Sequence, residues 1–235
     1  MTNPTPQEQV SQMFNEISPT YDRVNRILSF GLDRLWRKRL TSLLPSGNSL
    51  TLIDLATGTG DQLLSLMKSG KISSALGIDL AEEMLSFFKT KVAGRPFANE
   101  IALEVASALD IPAEEGSFDC ATISFGIRNV GDPGLCLREM HRVLKPGGRA
   151  LILEFSLPKI KLVRFFHLLY LRKVLPFLGG VISGKPSAYS YLNKTIEAFP
   201  YGSAFCNLMK EANFSNVHAH PMTLGVATLY MGEKQ

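Results

Sequence analysis

The chain has 235 residues, of which 45% are hydrophobic and 20% are charged. This composition is typical of a soluble globular protein and is sufficient for one α/β domain with a sizeable core. The net charge of +4 does not by itself indicate nucleic-acid binding, which needs a clustered basic patch. Contact with an anionic membrane surface is equally compatible with that charge.

The cysteine content and the N-terminus both point to the cytoplasm. Cys120, Cys136 and Cys206 are odd in number and lack the spacing of metal ligands, which favours a reduced compartment. The first ten residues contain no apolar segment like that of a signal peptide. We therefore expect a cytoplasmic protein without a metal site.

The region before the first strand is predicted to be helical. Residues 1–9 look like a loose polar tail, and residues 10–44 predict two or three helices with one apolar stripe. The stripe consists of Leu32, Leu35, Trp36, Leu40, Leu43 and Leu44. The cationic side chains between them predict a solvated face: Arg34, Arg37, Lys38 and Arg39. The polar segment 21–26 is either a helix start with surface charge or a lid over a ligand site.

Residues 51–61, with the sequence TLIDLATGTGD, predict a buried strand followed by a sharp turn. The first half is short and apolar, and the glycines in the second half tolerate a positive φ. Residues 62–68 then indicate a helix. Strand, glycine turn and helix open a doubly wound sheet, in which a nucleotide-like ligand binds at the carboxyl end of the strand.

The residues after this turn argue against two familiar classes of nucleotide. A dinucleotide fingerprint has a third glycine where this chain has Leu63, and a P-loop has Lys-Ser/Thr where it has Asp61 and Gln62. A cationic ligand without phosphates, such as S-adenosylmethionine, fits this turn better. A glycine turn can also be only a turn.

Asp79 strengthens the ligand interpretation. It ends the next predicted strand, residues 75–79, and lies 19 positions after Gly60. A carboxylate at this spacing accepts hydrogen bonds from ribose hydroxyls. The alternative is that Asp79 only caps the following helix.

The rest of the chain continues the α/β alternation in a single domain. Strands are predicted at 101–105, 118–125, 149–155, 217–220 and 226–231, and helices at 81–92, 133–144 and 202–212. The fourth strand leads to Arg128 and Asn129, at an end where functional residues of open α/β sheets gather. None of the four histidines is predicted at such an end, so we expect no catalytic histidine.

The segment 159–180, KIKLVRFFHLLYLRKVLPFLGG, interrupts this alternation. It predicts either a buried core helix or an apolar, basic element that contacts a lipid-like substrate or an anionic bilayer. Its charges and Pro176 argue against a membrane span.

Several longer motifs resemble the ubiquinone/menaquinone biosynthesis C-methyltransferases. They are MFNEISPTYDRVNRILSFGLDRLWRK from residue 13, GIDLAEEML at 77–85, FDCATISFGIRNVGD at 118–132, REMHRVLKPGGRALILEFSLP at 138–158 and YLNKTIEAFP at 191–200. The resemblance implies a class I methyltransferase fold, a parallel sheet closed by an antiparallel seventh strand. It also implies S-adenosylmethionine as cofactor and a ring carbon of a polyprenylated quinol as methyl acceptor.

The resemblance assigns a cofactor site to particular residues. Gly58, Thr59 and Gly60 would form the turn, and Asp79 would bind the ribose. Ser107 and Ala108 would flank the adenine, and Ser124 would lie at the end of the fourth strand. Many relatives carry Asp or Asn in place of Ser107, so Asp110 or a water is an alternative partner for the adenine amine.

Methyl transfer to a quinol ring needs a group that polarises a ring hydroxyl and stabilises the developing oxyanion. We assign the oxyanion role to Arg128, which stays protonated, and expect Asn129 to position the same hydroxyl or a water. Tyr21, on the lid, would pack against the ring.

Two other functions remain open: a methyltransferase for another lipid or small phenol, and a non-catalytic scaffold that binds the cofactor. The motifs serve menaquinone and ubiquinone precursors alike. Among partners we expect transient contact with a membrane surface and no nucleic acid, and a homodimer remains open.

Overall fold

The computed structural model describes residues 6–235. Residues 1–5 of the predicted polar tail lie outside this range. Residues 6–9 are not a tail, because they belong to the first helix, Pro6–Ile17.

Seven strands form one sheet in the order β3-β2-β1-β4-β5-β7-β6. All neighbouring pairs are parallel except those of β7, which runs antiparallel to both β5 and β6. This arrangement confirms the predicted class I methyltransferase fold. The strands are β1 (Leu50–Leu55), β2 (Ile72–Asp79), β3 (Ile101–Val105), β4 (Phe118–Ser124), β5 (Leu144–Phe155), β6 (Ser215–Met222) and β7 (Ala227–Glu233).

Ten α-helices surround the sheet over the described residues. They are α1 (Pro6–Ile17), α2 (Tyr21–Leu28), α3 (Leu32–Thr41), α4 (Asp61–Met67), α5 (Glu82–Val92), α6 (Pro133–Val143), α7 (Lys161–Leu169), α8 (Leu175–Ser183), α9 (Pro186–Ala198) and α10 (Ser203–Glu211). Three of them, α1 to α3, precede the first strand, as the sequence predicted.

The strand order fixes where a ligand can bind. From β1 the chain builds outward to β2 and β3, then returns to place β4 on the other side of β1. The carboxyl ends of β1, β2 and β4 therefore meet at the point where the winding reverses, and such a switch point opens a crevice above the sheet. Ile53 and Leu55 of β1 and Ala121 and Ile123 of β4 are fully buried, as central parallel strands require.

The apolar core has three parts. One lies between the sheet and helices α6 and α10, and a second lies on the opposite face against α3, α4 and α5. The third lies outside the sheet and joins Val24 of α2 to Leu171, Leu175 and Ala188 of the α7–α9 region. This third core holds the N-terminal helices and the segment after β5 together as a cover over the crevice.

The start of strand β5 and the presence of helix α9 differ from the sequence prediction. β5 begins at Leu144 rather than at Arg149, and its pairing with β4 shifts register between Phe118 and Cys120. Residues 145–148, which lie between the predicted helix and the predicted strand, therefore belong to the irregular start of β5. Helix α9 was not predicted, although Pro186 opens it at a position where proline is well tolerated.

The segment after β5 forms α7, a π-helical turn (Tyr170–Val174) and α8. Pro176 has no N–H to donate to the preceding turn, and an insertion of this kind accommodates the missing bond. By length and composition, the continuous helix Lys161–Ile182 could cross a membrane.

The prediction of a buried core helix for this segment is wrong. Only 17% of the most apolar 18-residue window is buried. One side packs on the third core through Leu171 and Leu175, whereas the large apolar side chains of the other side are 48–71% exposed: Leu162, Phe165, Phe166, Leu169, Phe177 and Val181. We call these six residues the exposed apolar face.

Candidate active site

The turn after β1 is tight because helix α5 packs directly against it. Gly58 and Gly60 have φ values of 55° and 80°, which L-residues rarely adopt. A Cβ at position 60 would lie 2.3 Å from the ring of Phe88, so only glycine fits there. The turn places the backbone N–H of Gly58 at the carboxyl end of β1.

Asp79 uses its carboxylate to join this turn to the start of α5. It accepts hydrogen bonds from the backbone N–H groups of Gly58 at 2.8 Å and Ala81 at 2.9 Å. Burial raises its pKa, and these hydrogen bonds oppose the increase. A carboxylate has about four lone-pair sites, so Asp79 serves the helix start and still has acceptor capacity for ribose hydroxyls.

A cavity of about 90 Å³ lies above these residues. We call it the cofactor cavity. Four of the predicted cofactor residues line it, namely Gly58, Asp79, Ala108 and Ser124. Its outer wall comes from α1 and the start of α2, so the N-terminal helices close it.

The other three predicted cofactor residues do not line this cavity. Gly60 packs on Phe88, and the Thr59 hydroxyl donates to Asp22 of α2 at 2.5 Å. The Ser107 hydroxyl accepts from the backbone N–H of Leu109. Thr59 and Ser107 thus shape the loops around the cavity through local hydrogen bonds, which the sequence could not distinguish from ligand contacts.

A second, mainly apolar cavity of about 240 Å³ lies beside the first. We call it the apolar cavity. All three predicted catalytic residues, Tyr21, Arg128 and Asn129, line it, and Tyr21 and Asn129 also line the cofactor cavity. The two cavities therefore share a wall. The sequence analysis missed Phe14 and Phe125, which complete that wall.

Arg128 is held by a buried ion pair. Its Nη1 lies 2.6 Å from Oε1 of Glu154 and also donates to the carbonyl oxygen of Phe125 at 2.6 Å. The Arg128 and Glu154 side chains are only 4% and 1% exposed. Burial raises the pKa of Glu154, and the Arg128 charge opposes that increase. Sequence analysis missed Glu154, although it lies in the quoted motif LEFS.

The shared wall and the neighbouring Arg128, which lines only the apolar cavity, contain unused hydrogen-bonding capacity. Nε of Arg128 and Oδ1 of Asn129 are buried without a hydrogen-bond partner among the described residues. Burial raises the pKa of Tyr21 more strongly than the charges of Arg128 and Arg37 lower it, so the phenol stays protonated and can donate. Buried polar groups are normally paired, which indicates that a ligand completes them.

The structure corrects the predicted position of Arg37. It does not lie on a fully solvated face but is half-buried and lines the apolar cavity. Helical spacing alone placed Arg37 with Lys38, which is exposed. The packing of α3 under α2 and Phe125 could not be predicted from that spacing.

Helix α2 is tied to the glycine turn by an ion-pair network. Lys91 of α5 lies 2.5 Å from Asp22 and 2.6 Å from Asp61, and it also donates to the Thr59 carbonyl oxygen. Arg26 of α2 pairs with Asp61 at 3.0 Å. The segment 21–26 thus lies against the glycine turn, and its role as a lid stays a prediction.

Among the histidines, only His167 lines either cavity. Its Nε2 is buried without a hydrogen-bond partner among the described residues, and burial lowers its pKa. Sequence analysis considered it and set it aside, because it is not predicted at the end of a strand. Over residues 6–235, no group of three or more His, Cys, Asp or Glu side chains is arranged to hold a metal ion.

Comparisons with known proteins agree with this geometry. The model of the ubiE/COQ5 methyltransferase family matches residues 2–234. The "Ubiquinone/menaquinone biosynthesis C-methyltransferase UbiE" of Geotalea daltonii is 45% identical over 228 residues, which cover 97% of each chain. The "Demethylmenaquinone methyltransferase" of Thermus thermophilus is 42% identical over 94% of this chain and 100% of its own.

A solved structure supports the fold independently. A putative S-adenosyl-L-methionine-dependent methyltransferase from Methanococcus maripaludis superimposes with a TM-score of 0.66 at 16% identity, covering 100% of this chain and 96% of that one. At this identity the likeness concerns the fold alone. The family match and the two relatives carry the assignment further: the chain is a methyltransferase and belongs to the ubiE/COQ5 methyltransferase family.

Proposed function

We propose that the protein transfers the methyl group of S-adenosylmethionine to a ring carbon of a polyprenylated quinol, converting demethylmenaquinol to menaquinol, a ubiquinone precursor to its methylated form, or both. The names of the relatives at 42–45% identity support this reaction class. The structural observation that carries the proposal is the wall shared by the smaller cavity, which contains Asp79, and the larger apolar one. Two reactants held on either side of such a wall are in the proximity that transfer requires.

The residues of the cofactor cavity fit S-adenosylmethionine. The Asp79 carboxylate would accept from the ribose hydroxyls, Ala108 offers an apolar surface for the adenine, and the Ser124 hydroxyl lies near the reacting end. The unpartnered Oδ1 of Asn129 can accept from the donor's ammonium group. The bound donor supplies an electrophilic methyl group.

The shared wall would orient the quinol ring. Tyr21 can donate its phenolic proton to a ring oxygen, and Nε of Arg128 offers a second donor. Because Glu154 neutralises most of the Arg128 charge, we assign Arg128 a directional hydrogen bond rather than a net positive field. The aromatic rings of Phe14 and Phe125 exclude water from the reacting atoms.

The location of the apolar cavity supports a prenylated acceptor. Its far wall comes from α7 to α9, including Leu171, Leu175 and Leu192, and the exposed apolar face covers the outside of the same helices. Exposed Lys161, Arg164 and Lys173 lie on that segment. We propose that the protein is cytoplasmic and binds peripherally to the inner face of the cytoplasmic membrane through this face, with α7 and α8 lying on the bilayer.

The reaction is tested by mass spectrometry of quinols incubated with the protein and a methyl-labelled donor. Demethylmenaquinol and a demethylated ubiquinone precursor should be offered separately, beside a soluble phenol as control. We expect label on a ring carbon of at least one quinol. Label on the phenol alone would indicate another acceptor, and donor binding without transfer to any acceptor would indicate a scaffold.

A further inference from the structure

Arg37 is half-buried and lies between the apolar cavity and an open surface cleft that Lys38 and Lys91 also line. Its guanidinium carbon lies 5.3 Å from the ring centroid of Phe125, and its Nε is buried without a hydrogen-bond partner in the part of the chain that the structure describes. Among residues 6–235, no salt bridge joins Arg37 to a carboxylate. A charge beside an apolar cavity is costly unless it is paired.

The acidic groups around Arg37 already have closer partners. Asp61 of α4 pairs with Lys91 and Arg26, and Asp33 of α3 also pairs with Arg26. Asp54 of β1 accepts hydrogen bonds from two threonine hydroxyls. Arg37 lowers the pKa of Asp54 and Asp61 only as a secondary influence, so its own charge is not neutralised by contact.

Arg128 shows the contrasting case in the same cavity. The rings of Phe125 and Phe155 lie 4.5 Å apart; Arg37 lies over the first, and Arg128 lies 5.4 Å from the centroid of the second. Glu154 neutralises Arg128, whereas Arg37 has no such partner. Phe125 lines both cavities, so Arg37 lies at the end of the apolar cavity that adjoins the cofactor cavity.

We propose that Arg37 binds a ring oxygen of the acceptor in its ionised form, so that the quinol is methylated as a phenolate. This inference rests on the proposed function. A neutral ligand would leave the charge unbalanced, whereas a phenolate oxygen supplies both the counter-charge and an acceptor for Nε.

The electrons and protons of the step balance. The hydroxyl proton leaves to water when the quinol binds, and the oxygen lone pair moves into the ring. The ring carbon bonds to the methyl group as the carbon–sulfur bond breaks, with its electron pair retained by sulfur. The proton on that ring carbon then leaves to water, and its electron pair restores the aromatic ring as a methylated phenolate. The phenolate takes up a proton from water on release, so one proton is released overall.

A direct test uses 1-naphthol as a probe, because its ionisation changes its absorption at wavelengths beyond those of tyrosine. The probe is titrated with base in the presence of saturating wild type, R37Q, R37K and the control K38Q, which changes the exposed neighbour on the same helix. We expect the wild type and K38Q to lower the apparent pKa of the bound probe by about one unit or more, a tenfold change in its ionisation constant. R37Q should return it toward the free value and R37K should lie between.

An unchanged pKa in R37Q would overturn the proposal. If R37Q is not folded by circular dichroism, R37M keeps the apolar stem on Phe125 and carries the same prediction. Methyl transfer separates the two claims: R37Q should lose kcat at neutral pH and recover it as the pH rises. Wild-type kcat in R37Q at every pH, with quinol still methylated, would reject only the role of Arg37. A shifted naphthol pKa without methylation of any quinol would reject the proposed function, while the binding of a phenolate by Arg37 would still be supported.

Discussion

At the scale of single residues, the buried Arg128–Glu154 ion pair lies at the candidate active site and also stabilises the folded state. Removing one partner of a buried pair leaves the other charge unpaired and costs about 3–5 kcal/mol. We expect R128A to lose stability of that order in chemical denaturation, in addition to any loss of turnover.

The double variant R128A/E154A is the matched control for that loss. Because it removes both charges, it should recover most of the stability without recovering activity. If R128A were as stable as the wild type, the pair would not be buried as the structure has it.

Asp54, directly before the glycine turn, gives a pH-dependent prediction. Burial raises its pKa from 3.8 to about 6, against the hydrogen bonds from Thr122 and Thr57. The folded state therefore binds this proton more tightly than the unfolded state does. The contribution of Asp54 to the free energy of unfolding is complete below the pKa of the unfolded state and is lost as the pH rises through about 6. The free energy of unfolding of the wild type, relative to D54N, should fall by roughly 2–3 kcal/mol from acid to neutral pH. A constant difference across that range would contradict the raised pKa.

Residue types at strand ends were predictable from the sequence, but their partners were not. Gly58, Asp79 and Asn129 follow predicted strands, and parallel strands bring their carboxyl ends together. The surroundings of Arg37 were predicted wrongly, and the contact of Thr59 with Asp22 was not predicted. Both contacts depend on how the N-terminal helices pack, and the role of Thr59 in the cofactor site stays a prediction. No periodicity within one helix reveals that packing.

At the scale of elements, the N-terminal helices form a cover that the contacts of Lys91 with Asp22, Asp61 and the Thr59 carbonyl hold in place. The cofactor cavity, about 90 Å³, is smaller than the roughly 300–1,000 Å³ of most ligand pockets, so α1 and α2 must move to admit a donor. K91M removes the contacts with Asp22, Asp61 and the Thr59 carbonyl. We expect faster hydrogen exchange in α1 and α2, with a loss of global stability of about 1 kcal/mol or less because the pairs are partly solvated.

Lys89, which is exposed on the same helix, provides the control for the K91M variant. K89M should leave exchange in α1 and α2 unchanged. Equal protection of these helices in K91M and the wild type would show that the network does not hold the cover closed.

The exposed apolar face makes a prediction for the α7–α8 segment. Burying a large apolar side chain contributes about 1.5–3 kcal/mol, so the triple variant F165S/F166S/L169S should lose at least tenfold in affinity for liposomes that contain anionic lipid. Flotation measures the loss, and circular dichroism confirms the fold. F87S changes an aromatic residue that is 41% exposed on α5 and should float like the wild type. Undiminished flotation of the triple variant would exclude this face as the membrane contact.

At the scale of the whole molecule, the alternation of strands and helices was sufficient to predict the sheet. The family motifs added the antiparallel β7, which no periodicity distinguishes from a parallel strand. Whether α7 and α8 are buried could not be predicted from residues 159–180. An apolar helix has the same sequence pattern whether it packs in a protein core or on a membrane. The shared wall could likewise not be predicted without the fold, because Asn129 is distant in the sequence from Phe14 and Tyr21.

The central claim is that a sulfonium donor and an aromatic acceptor occupy neighbouring cavities, and calorimetric titration of S-adenosylhomocysteine tests it most directly. The wild type should bind at one site. A106L, which narrows the cofactor cavity, should abolish this binding, whereas L192W, which fills the apolar cavity, should leave it intact and stop methyl transfer. No heat of binding to natively folded wild type, or loss of binding in L192W alone, would contradict the account.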